Sequence, residues 1–208
     1  LLPDSVVLLN TEKTNGETEQ KQWRYLNGLT SYLEEMLGDD EPIVPIFAGE
    51  KYIPVGDDSF AEGEGAAWAF VWLEGAGGGE SYVNLIPTAS GGTHEAGLRT
   101  GIFDALKLFI DHHNLLPRGV KLQAEDCWSK LRFVLSAKIL DPQFQGQTKE
   151  KLNNRDAVKL VANMVRGPFE AWLNTHVEDG KKLAELAIKQ AMNRLKSVKK
   201  IEKRKSSG

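Results

Sequence analysis

A polar loop that carries a glutamine and two lysines lies between an apolar segment and a helical one. It runs from Asp141 to Leu152 with the sequence DPQFQGQTKEKL, and Pro142 and Gly146 restrict or shape its backbone. Gln147 offers amide donors and Lys149 a compact positive charge, which suits phosphate oxygens. Loops held by a rigid scaffold often carry function. From the residues alone, a phosphate-contacting loop and a solvated loop that contains lysine are equal alternatives.

A second candidate is the sequence Thr93-His94-Glu95, which follows Gly91-Gly92 at a predicted strand-to-helix junction. Backbone amides at a helix N-terminus can hold an anion. Alternatively, the glycines form a tight turn and Thr93 caps the helix, with Glu95 favourable in its first turn. The residues by themselves favour the turn and cap.

Other reactive side chains form no recognisable site in the sequence. His112 and His113 are adjacent, and neighbouring side chains on a helix point about 100° apart, so with His94 they make no ligand set. Cys127 is the only cysteine, which excludes a disulfide framework or a cysteine-rich zinc site. No lysine or histidine stands beside it, so we predict a packing role. We expect no metal site and a reducing cytoplasm.

The net charge of −3 conceals a basic end of the chain. An acidic stretch from 39 to 80 holds ten carboxylates and one lysine, which makes the body a poor nucleic-acid surface. The basic residues near the end are candidates to face DNA: Arg194, Lys196, Lys199, Lys200, Lys203, Arg204 and Lys205. A solvated helix face, or a linker into another domain, is the alternative.

The elements that must position these residues are predicted from hydrophobic periodicity. Strands are expected at 5–10, 22–25, 46–55, 64–74, 80–87 and 131–140. The first two form a hairpin with a long tip around Asn15-Gly16. Trp68, Phe70 and Trp72 alternate along one strand and predict an aromatic sheet face.

Helices are predicted at 29–37, 98–114, 154–177 and from 181 past 201. Gly167-Pro168 predicts a kink or break, because proline has no amide donor. The fold class is therefore α/β (α+β), a mixed β-sheet with helices followed by a long C-terminal helix. The main domain boundary is placed near Gly38, where Asp39-Asp40 ends the first helix.

Length and composition set outer limits on the chain. Its 208 residues, 41% hydrophobic, are enough to bury a core. A membrane span is excluded because no run of about 18 apolar residues occurs, and no signal peptide is recognisable. The sequence begins at Leu1 without methionine, so we expect an excised piece of a longer protein.

Three stretches together resemble one protein family. They are Asn84–Arg99 (NLIPTASGGTHEAGLR), Leu116–Val120 (LPRGV) and Asp141–Leu152. Their order and spacing are similar to those of the B-type ATPase subunits of bacterial type IIA DNA topoisomerases, over nearly the whole chain. The motifs resemble the topoisomerase IV branch more than gyrase. Asn153-Asn154 departs from the Gly-Asn common after this loop in the family.

This resemblance implies a fold and a division of the chain. The fold would be the transducer fold that is similar to domain 2 of ribosomal protein S5. Residues 1–37 would be the last hairpin and a helix of the preceding GHKL-type ATP-binding domain. Residues 38–178 would form the transducer domain, and residues 179–208 a long basic helix that leads toward the DNA gate.

The resemblance also implies a function, which is to couple ATP binding and hydrolysis to DNA strand passage, decatenation and relaxation. Lys149 would reach the terminal phosphate of ATP in the adjoining domain, with Gln147 as its companion. ATP and Mg²⁺ would be held mainly by domains outside this chain, which alone is expected to be inactive and to carry no catalytic residue. Implied partners are DNA, the A-type subunit of topoisomerase IV in a heterotetramer, and a second copy of the B-type subunit through ATP-dependent dimerisation.

Two alternatives remain open on the sequence. One is the corresponding piece of the B-type subunit of DNA gyrase, which differs in the outcome of the reaction. The other is a stand-alone nucleic-acid-binding module of S5-like fold that uses the basic tail. Such a module has no need of Gln147 and Lys149 beside an ATP-binding domain, and an ATP-binding fold upstream of Leu1 would decide against it. Relaxation and decatenation, as against negative supercoiling, would separate the topoisomerase IV and gyrase alternatives.

Overall fold

The computed structural model describes residues 5–24 and 27–206. Its elements in chain order are β1 (Val6–Glu12), β2 (Thr18–Arg24), α1 (Leu29–Leu37), β3 (Phe47–Tyr52), β4 (Gly65–Trp72), β5 (Gly78–Val83), β6 (Ile86–Pro87), α2 (Thr93–His112), α3 (Ala124–Trp128), β7 (Leu131–Lys138), α4 (Asp156–Thr175) and α5 (Val177–Ser206). The predicted α/β class is confirmed, and only the short helix α3 and the separate strand β6 lack a counterpart in the prediction.

A mixed sheet of five strands forms the centre of the molecule, in the order β3-β4-β7-β5-β6. Strand β7 pairs antiparallel with β4 and parallel with β5. The parallel pair requires a crossover, and α2 and α3 supply it. Because β5 and β7 run the same way, the loops after both strands leave from one end of the sheet.

The two faces of the sheet are covered by different helices. Trp68, Phe70 and Trp72 alternate along β4, are at most 2% exposed, and share one core with α2 and α4. The ring of Phe169 on α4 stacks on Trp72 with centroids 5.8 Å apart. On the opposite face, Leu33 of α1 packs in a second cluster of buried residues. The predicted aromatic face is therefore confirmed.

Helix α2 lies very close to α4 because glycine occupies the contact. A Cβ atom on Gly97 would lie 2.6 Å from the carbonyl oxygen of Val158, a distance that real side chains do not reach. Only a residue without a side chain permits this approach. The close contact fixes the N-terminal half of α2, which the candidate site uses.

The N-terminal hairpin differs from its prediction in the length of its strands. The pairing runs from Val6 opposite Arg24 to Glu12 opposite Thr18, so the tip is only residues 13–17. Gly16 turns the tip with a φ of 83°, as the Asn15-Gly16 signal predicts. The strands extend into polar sequence because backbone pairing needs no apolar side chains where a ribbon is solvated on both faces.

The two C-terminal helices also differ from prediction in detail. Helix α4 continues through Pro168 without a break. Proline removes one backbone hydrogen bond, while Val165 and Phe169 on either side remain fully buried in the core. Helix α5 begins at Val177, four residues before the predicted start, so only His176 separates the two helices.

Helix α1, which the resemblance places with the preceding domain, contacts the central sheet. Leu33 is fully buried against it, and the Tyr32 hydroxyl donates to a carboxylate oxygen of Glu80 on β5 at 2.7 Å. The division at residues 37 and 38 stays a prediction.

Candidate functional site

The polar loop between β7 and α4 is a closed stem with an exposed tip. The amide of Gln145 donates to the Lys151 carbonyl at 2.9 Å, and the amide of Asn153 donates to the Gln143 carbonyl at 2.7 Å. Phe144 and Leu152 form an antiparallel bridge between these bonds. We call this segment, residues 141–154, the lysine loop. Its stem is Asp141–Gln145 with Lys151–Asn154, and its tip is residues 146–150.

Asn154 closes the base of the lysine loop, a role that the sequence analysis did not assign. Its side-chain oxygen accepts the Gln143 amide at 2.6 Å, and its side-chain nitrogen donates to the Asp141 carbonyl at 2.9 Å. Asparagine at the end of a loop commonly bonds the backbone in this way. That general preference was the only signal in the sequence.

The stem is bonded to the glycine turn that precedes α2. The Leu152 amide donates to the Gly91 carbonyl at 3.1 Å, and the Thr93 amide donates to the Leu152 carbonyl at 3.1 Å. The Ser90 amide donates to the Glu150 carbonyl at 2.9 Å. Leu152 itself is 1% exposed, within the main core. The two candidate motifs of the sequence therefore form one structural unit.

The tip presents unpartnered donors. Gln147 and Lys149 are exposed, and no hydrogen bond or ion pair of either side chain occurs among the residues that the structure describes. The ammonium and amide groups point to an anionic or oxygen-rich ligand. The tip thus extends from a hydrogen-bonded stem and displays a positive charge that no described residue neutralises.

At the glycine turn, Thr93 is not the predicted helix cap, and its backbone amide, which the anion alternative would use, is already bonded. Gly92 is the N-cap residue, and Thr93 is the first helical residue, with a buried hydroxyl that lacks a hydrogen-bond partner among the described residues. The amides of Ser90 and Thr93 already donate to the lysine loop. The turn therefore binds the backbone of the lysine loop through these two amides.

Below this turn lies a buried polar cluster of four side chains: Ser81, Thr88, His94 and Glu95. The Ser81 hydroxyl lies 2.5 Å from Oε1 of Glu95 and 2.6 Å from the Thr88 hydroxyl. The Thr88 hydroxyl also lies 2.9 Å from Nε2 of His94, and it donates to the Ser81 carbonyl at 2.9 Å. The first three side chains are at most 4% exposed.

The basic tail contains one residue that is committed within the molecule. Nε and an Nη atom of Arg194 lie 3.1 and 2.9 Å from the two carboxylate oxygens of Asp126, whose side chain is 3% exposed. The same guanidinium donates to the Lys121 carbonyl. Arg194 therefore fastens α5 to α3, and we leave it out of the residues that we propose to face DNA.

The other basic residues divide into two groups. Lys196, Lys199 and Lys200 are exposed on α5. The side chains of Lys203, Arg204 and Lys205 lie outside the described residues, so their predicted role is carried forward unchanged.

Comparison with known proteins identifies the family. The family model described as DNA gyrase B matches residues 28–203. The chain belongs to the DNA gyrase B family. The resemblance drawn from the three sequence stretches is thereby confirmed.

Relatives within the family include the B-type subunits of topoisomerase IV. The chain is 44% identical to the DNA topoisomerase 4 B-type subunit of Pseudomonas aeruginosa, and the match covers 99% of this chain and 31% of that protein. Identity to the Escherichia coli K12 protein of the same name is 42% with the same coverage. The chain thus spans about a third of the length of these relatives.

Solved structures support the fold. The topoisomerase IV ATP-binding domain of Francisella tularensis has a TM-score of 0.69 and 36% identity, over 85% of this chain and 46% of that chain. The 43K ATPase domain of Thermus thermophilus gyrase B has a TM-score of 0.75 at 22% identity, over 88% of this chain and 48% of that chain. The second likeness concerns the fold alone.

Some negative findings limit the chemistry of the described part of the chain. It holds no group of three or more His, Cys, Asp or Glu side chains placed to bind a metal ion. No helix in it has the length and apolar character needed to cross a bilayer. Burial raises the pKa of Cys127 to about 12, which agrees with the predicted packing role.

His94 gives the first testable prediction. Burial lowers the pKa of His94 to about 4, because the charged ring would lose its water. Its stabilising contribution is present above pH ~6.5, the ordinary histidine value, and is lost as the pH falls through about 4. Between pH 7 and 5 we expect this group to lower the free energy of unfolding by about 2 kcal/mol.

His94→Gln should remove that part of the pH dependence, which urea unfolding of the chain at the two pH values measures. Burial shifts the pKa of Glu95 upward, so its contribution runs in the opposite direction. The wild type and the His94→Gln variant both contain Glu95, so the difference between them isolates the contribution of His94. An equal loss of stability on acidification in both proteins would contradict the assignment.

Arg194 gives the second prediction. Arg194→Ala leaves the buried Asp126 carboxylate without its partner, and we expect a loss of about 2 kcal/mol in the free energy of unfolding. This value is set below the usual cost of breaking a buried pair because the arginine is 28% exposed. Lys196→Ala, which removes an exposed charge from the same helix, should stay within about 0.5 kcal/mol. If Arg194→Ala and Lys196→Ala lower the free energy of urea unfolding equally, Arg194 does not attach α5 to α3.

Proposed function

We propose that this chain is the transducer part of an ATP-dependent type II DNA topoisomerase, similar to the B-type subunit of topoisomerase IV. In this proposal the lysine loop contacts the nucleotide of an adjoining ATP-binding domain and couples its state to DNA strand passage. The observation that carries the proposal is the tip of the lysine loop. Its donors are unpartnered among the described residues, while its stem is fixed to the core through Leu152.

The donor set suits a phosphate group. Lys149 provides a charge-assisted hydrogen bond and Gln147 a neutral one, so both side chains would hold oxygens of a terminal phosphate. ATP, when bound in the adjoining domain, supplies that phosphate group. Two donors cannot replace an enclosed pocket for a nucleotide, and we expect the chain alone neither to bind ATP tightly nor to hydrolyse it.

A rigid stem makes the contact sensitive to domain arrangement. Because Lys149 lies on this domain and its proposed ligand on another, the contact forms in only one arrangement of the two. A ligand shifts an equilibrium only by its difference in affinity for the two states. Lys149 would stabilise the closed arrangement by this difference, and α5 would transmit the movement.

The β1–β2 hairpin is assigned to the preceding ATP-binding domain. Four consecutive apolar residues of β1, Val6 to Leu9, are each 46% to 58% exposed. A two-stranded hairpin is marginally stable by itself, so we propose that this ribbon is completed by the preceding domain. Helix α1 then forms the junction, residues 38–178 the transducer domain, and residues 179–208 the basic helix toward the DNA gate.

The implied cofactors and partners belong to the same proposal. ATP and Mg²⁺ would be held mainly by domains outside this chain. DNA, the A-type subunit of topoisomerase IV in a heterotetramer, and a second copy of the B-type subunit in an ATP-dependent dimer are the proposed partners. A cytoplasmic location follows from action on the bacterial chromosome.

The third prediction concerns the basic tail. Changing Lys196, Lys199 and Lys200 together to alanine should weaken binding of duplex DNA and make the slope of log affinity against log salt smaller by about 2 to 3, because each phosphate contact releases counterions. Fluorescence anisotropy of the chain at several salt concentrations measures this slope. Arg194→Ala should leave it unchanged. An unchanged slope in the triple variant would remove these lysines from the proposal.

The proposed function is tested with the full-length protein and its A-type partner. We expect ATP-dependent decatenation and relaxation without negative supercoiling. Introduction of negative supercoils would favour the gyrase alternative. Absence of all three activities, with DNA binding retained by the chain, would favour the stand-alone binding module.

A further inference from the structure

The buried polar cluster is linked to the lysine loop by a continuous chain of hydrogen bonds. The Thr88 amide donates to the Ser81 carbonyl at 2.8 Å, and the Gly91 amide donates to the Thr88 carbonyl at 2.9 Å. The Gly91 carbonyl in turn accepts the Leu152 amide. The position of the Thr88 backbone therefore determines where the stem of the loop is held.

Glu95 supports the same turn from below. A Cβ atom on Gly91 would lie 2.8 Å from the Glu95 carboxyl group, so the carboxyl lies directly against this glycine. Its Oε1 atom contacts Ser81 on β5. The cluster thus connects the sheet, the glycine turn and the N-terminal end of α2.

Counting hydrogens assigns the roles within the cluster. Thr88 donates its only hydroxyl hydrogen to the Ser81 carbonyl, so it must accept from Nε2–H of His94. Its second acceptor position faces the Ser81 hydroxyl at 2.6 Å. The Ser81 hydroxyl donates to Oε1 of Glu95 at 2.5 Å, and the Thr88 carbonyl at 3.4 Å is a further acceptor for it.

Four contacts hold this cluster together. Burial raises the pKa of Glu95, and the hydrogen bond from the Ser81 hydroxyl offsets part of this rise. Thr88 is then the centre of the cluster, because its hydroxyl makes three of the four bonds. Removal of that hydroxyl leaves the buried Nε2–H of His94 without an acceptor, which is costly.

We propose that Thr88 and His94 are positioning residues for the lysine loop, acting through Gly91 and Leu152 to hold Lys149 where the proposed function requires it. This inference rests on the proposed function for its effect on ATP turnover. It rests on geometry alone for its effect on the loop. The two effects are measured separately.

The first measurement is hydrogen exchange in the full-length protein without nucleotide. Thr88→Val keeps the shape of the side chain and removes the hydroxyl. We expect the amides of Ser90, Thr93 and Leu152 to exchange at least about tenfold faster, since about 1.4 kcal/mol corresponds to a factor of ten. Thr88→Ser and His94→Gln keep a polar partner and should stay closer to wild type. Thr100→Val makes the same substitution at an exposed position of α2 and is the matched control.

The second measurement is ATP turnover by the full-length enzyme. Thr88→Val should lower kcat by about 10- to 100-fold with little change in KM, because a small displacement of a positioned group has effects of this size. In a Lys149→Ala background the same change should have almost no further effect on kcat. Glu95→Gln keeps an acceptor oxygen for the Ser81 hydroxyl and should resemble wild type, whereas Glu95→Ala should resemble Thr88→Val.

The outcomes separate the two proposals. If the three amides remain as protected in Thr88→Val as in wild type, or if its effect adds fully to that of Lys149→Ala, positioning is overturned. A loss in Glu95→Gln as large as in Glu95→Ala overturns the role given to the hydrogen bond between Ser81 and Glu95. If Lys149→Ala turns over ATP at the wild-type rate while Thr88→Val still exposes the three amides, the proposed function fails and the positioning of the loop stands.

Discussion

Lys149→Ala in the full-length protein is expected to lower kcat for ATP hydrolysis by about 10²- to 10³-fold. Lys149 is an exposed cation at the tip of the lysine loop, with no ion pair among the described residues that could compensate its charge. It would act where negative charge develops on the phosphoryl group, and most other nucleotide contacts would lie in the adjoining domain. ATP affinity should therefore fall much less than kcat, and DNA relaxation should fall with kcat.

Two further substitutions in the same loop sharpen this test. Gln147→Ala should act in the same direction with a smaller effect, since a neutral donor is weaker than a charged one. Lys151→Ala is the matched control, because this lysine is also exposed and its backbone carbonyl still accepts the Gln145 amide. Steady-state ATPase and separate nucleotide titration give the two constants. Equal damage from the Lys149 and Lys151 changes would show that charge alone, and not its position, matters.

Gly92→Ala is expected to lower the free energy of unfolding by at least about 3 kcal/mol and to displace the lysine loop. Gly92 has a φ of 140°, which L side chains rarely adopt. An added Cβ would lie 2.5 Å from the backbone nitrogen of Leu152. The carbonyl oxygen of Leu152 would be closer still. Both Leu152 atoms form backbone hydrogen bonds with the glycine turn, so they can move away only if those bonds break. Urea unfolding of the chain measures the loss.

Gly146→Ala is the control for the backbone conformation itself. Gly146 has a φ of 76°, but an added Cβ there would meet no atom within 4 Å. Alanine should therefore cost only the strain of the left-handed region, about 1–2 kcal/mol. If Gly92→Ala costs no more than Gly146→Ala, the close contact between the turn and the loop is not important for stability.

Local sequence determined most of the elements of this protein. The alternation of Trp68, Phe70 and Trp72 predicted one buried sheet face, since side chains of a strand point to opposite sides. Helical periodicity predicted α1, α2, α4 and α5, with errors confined to their ends and to Pro168. The chemistry of Gln147 and Lys149 suggested a phosphate ligand, because donor type and charge are properties of the residues themselves.

What joins distant residues was decided only by the tertiary structure. The sequence analysis treated the glycine turn and the lysine loop as separate candidates, and no local pattern pairs Gly91 with Leu152. Nothing in a count of basic residues distinguishes Arg194, whose partner Asp126 is 68 positions away. Thr93 satisfies the preference for a cap, yet Gly92 takes that position because the loop backbone lies too close for a side chain. Hydrogen bonds and close contacts of this kind depend on chain segments that meet only when the sheet and helices are assembled.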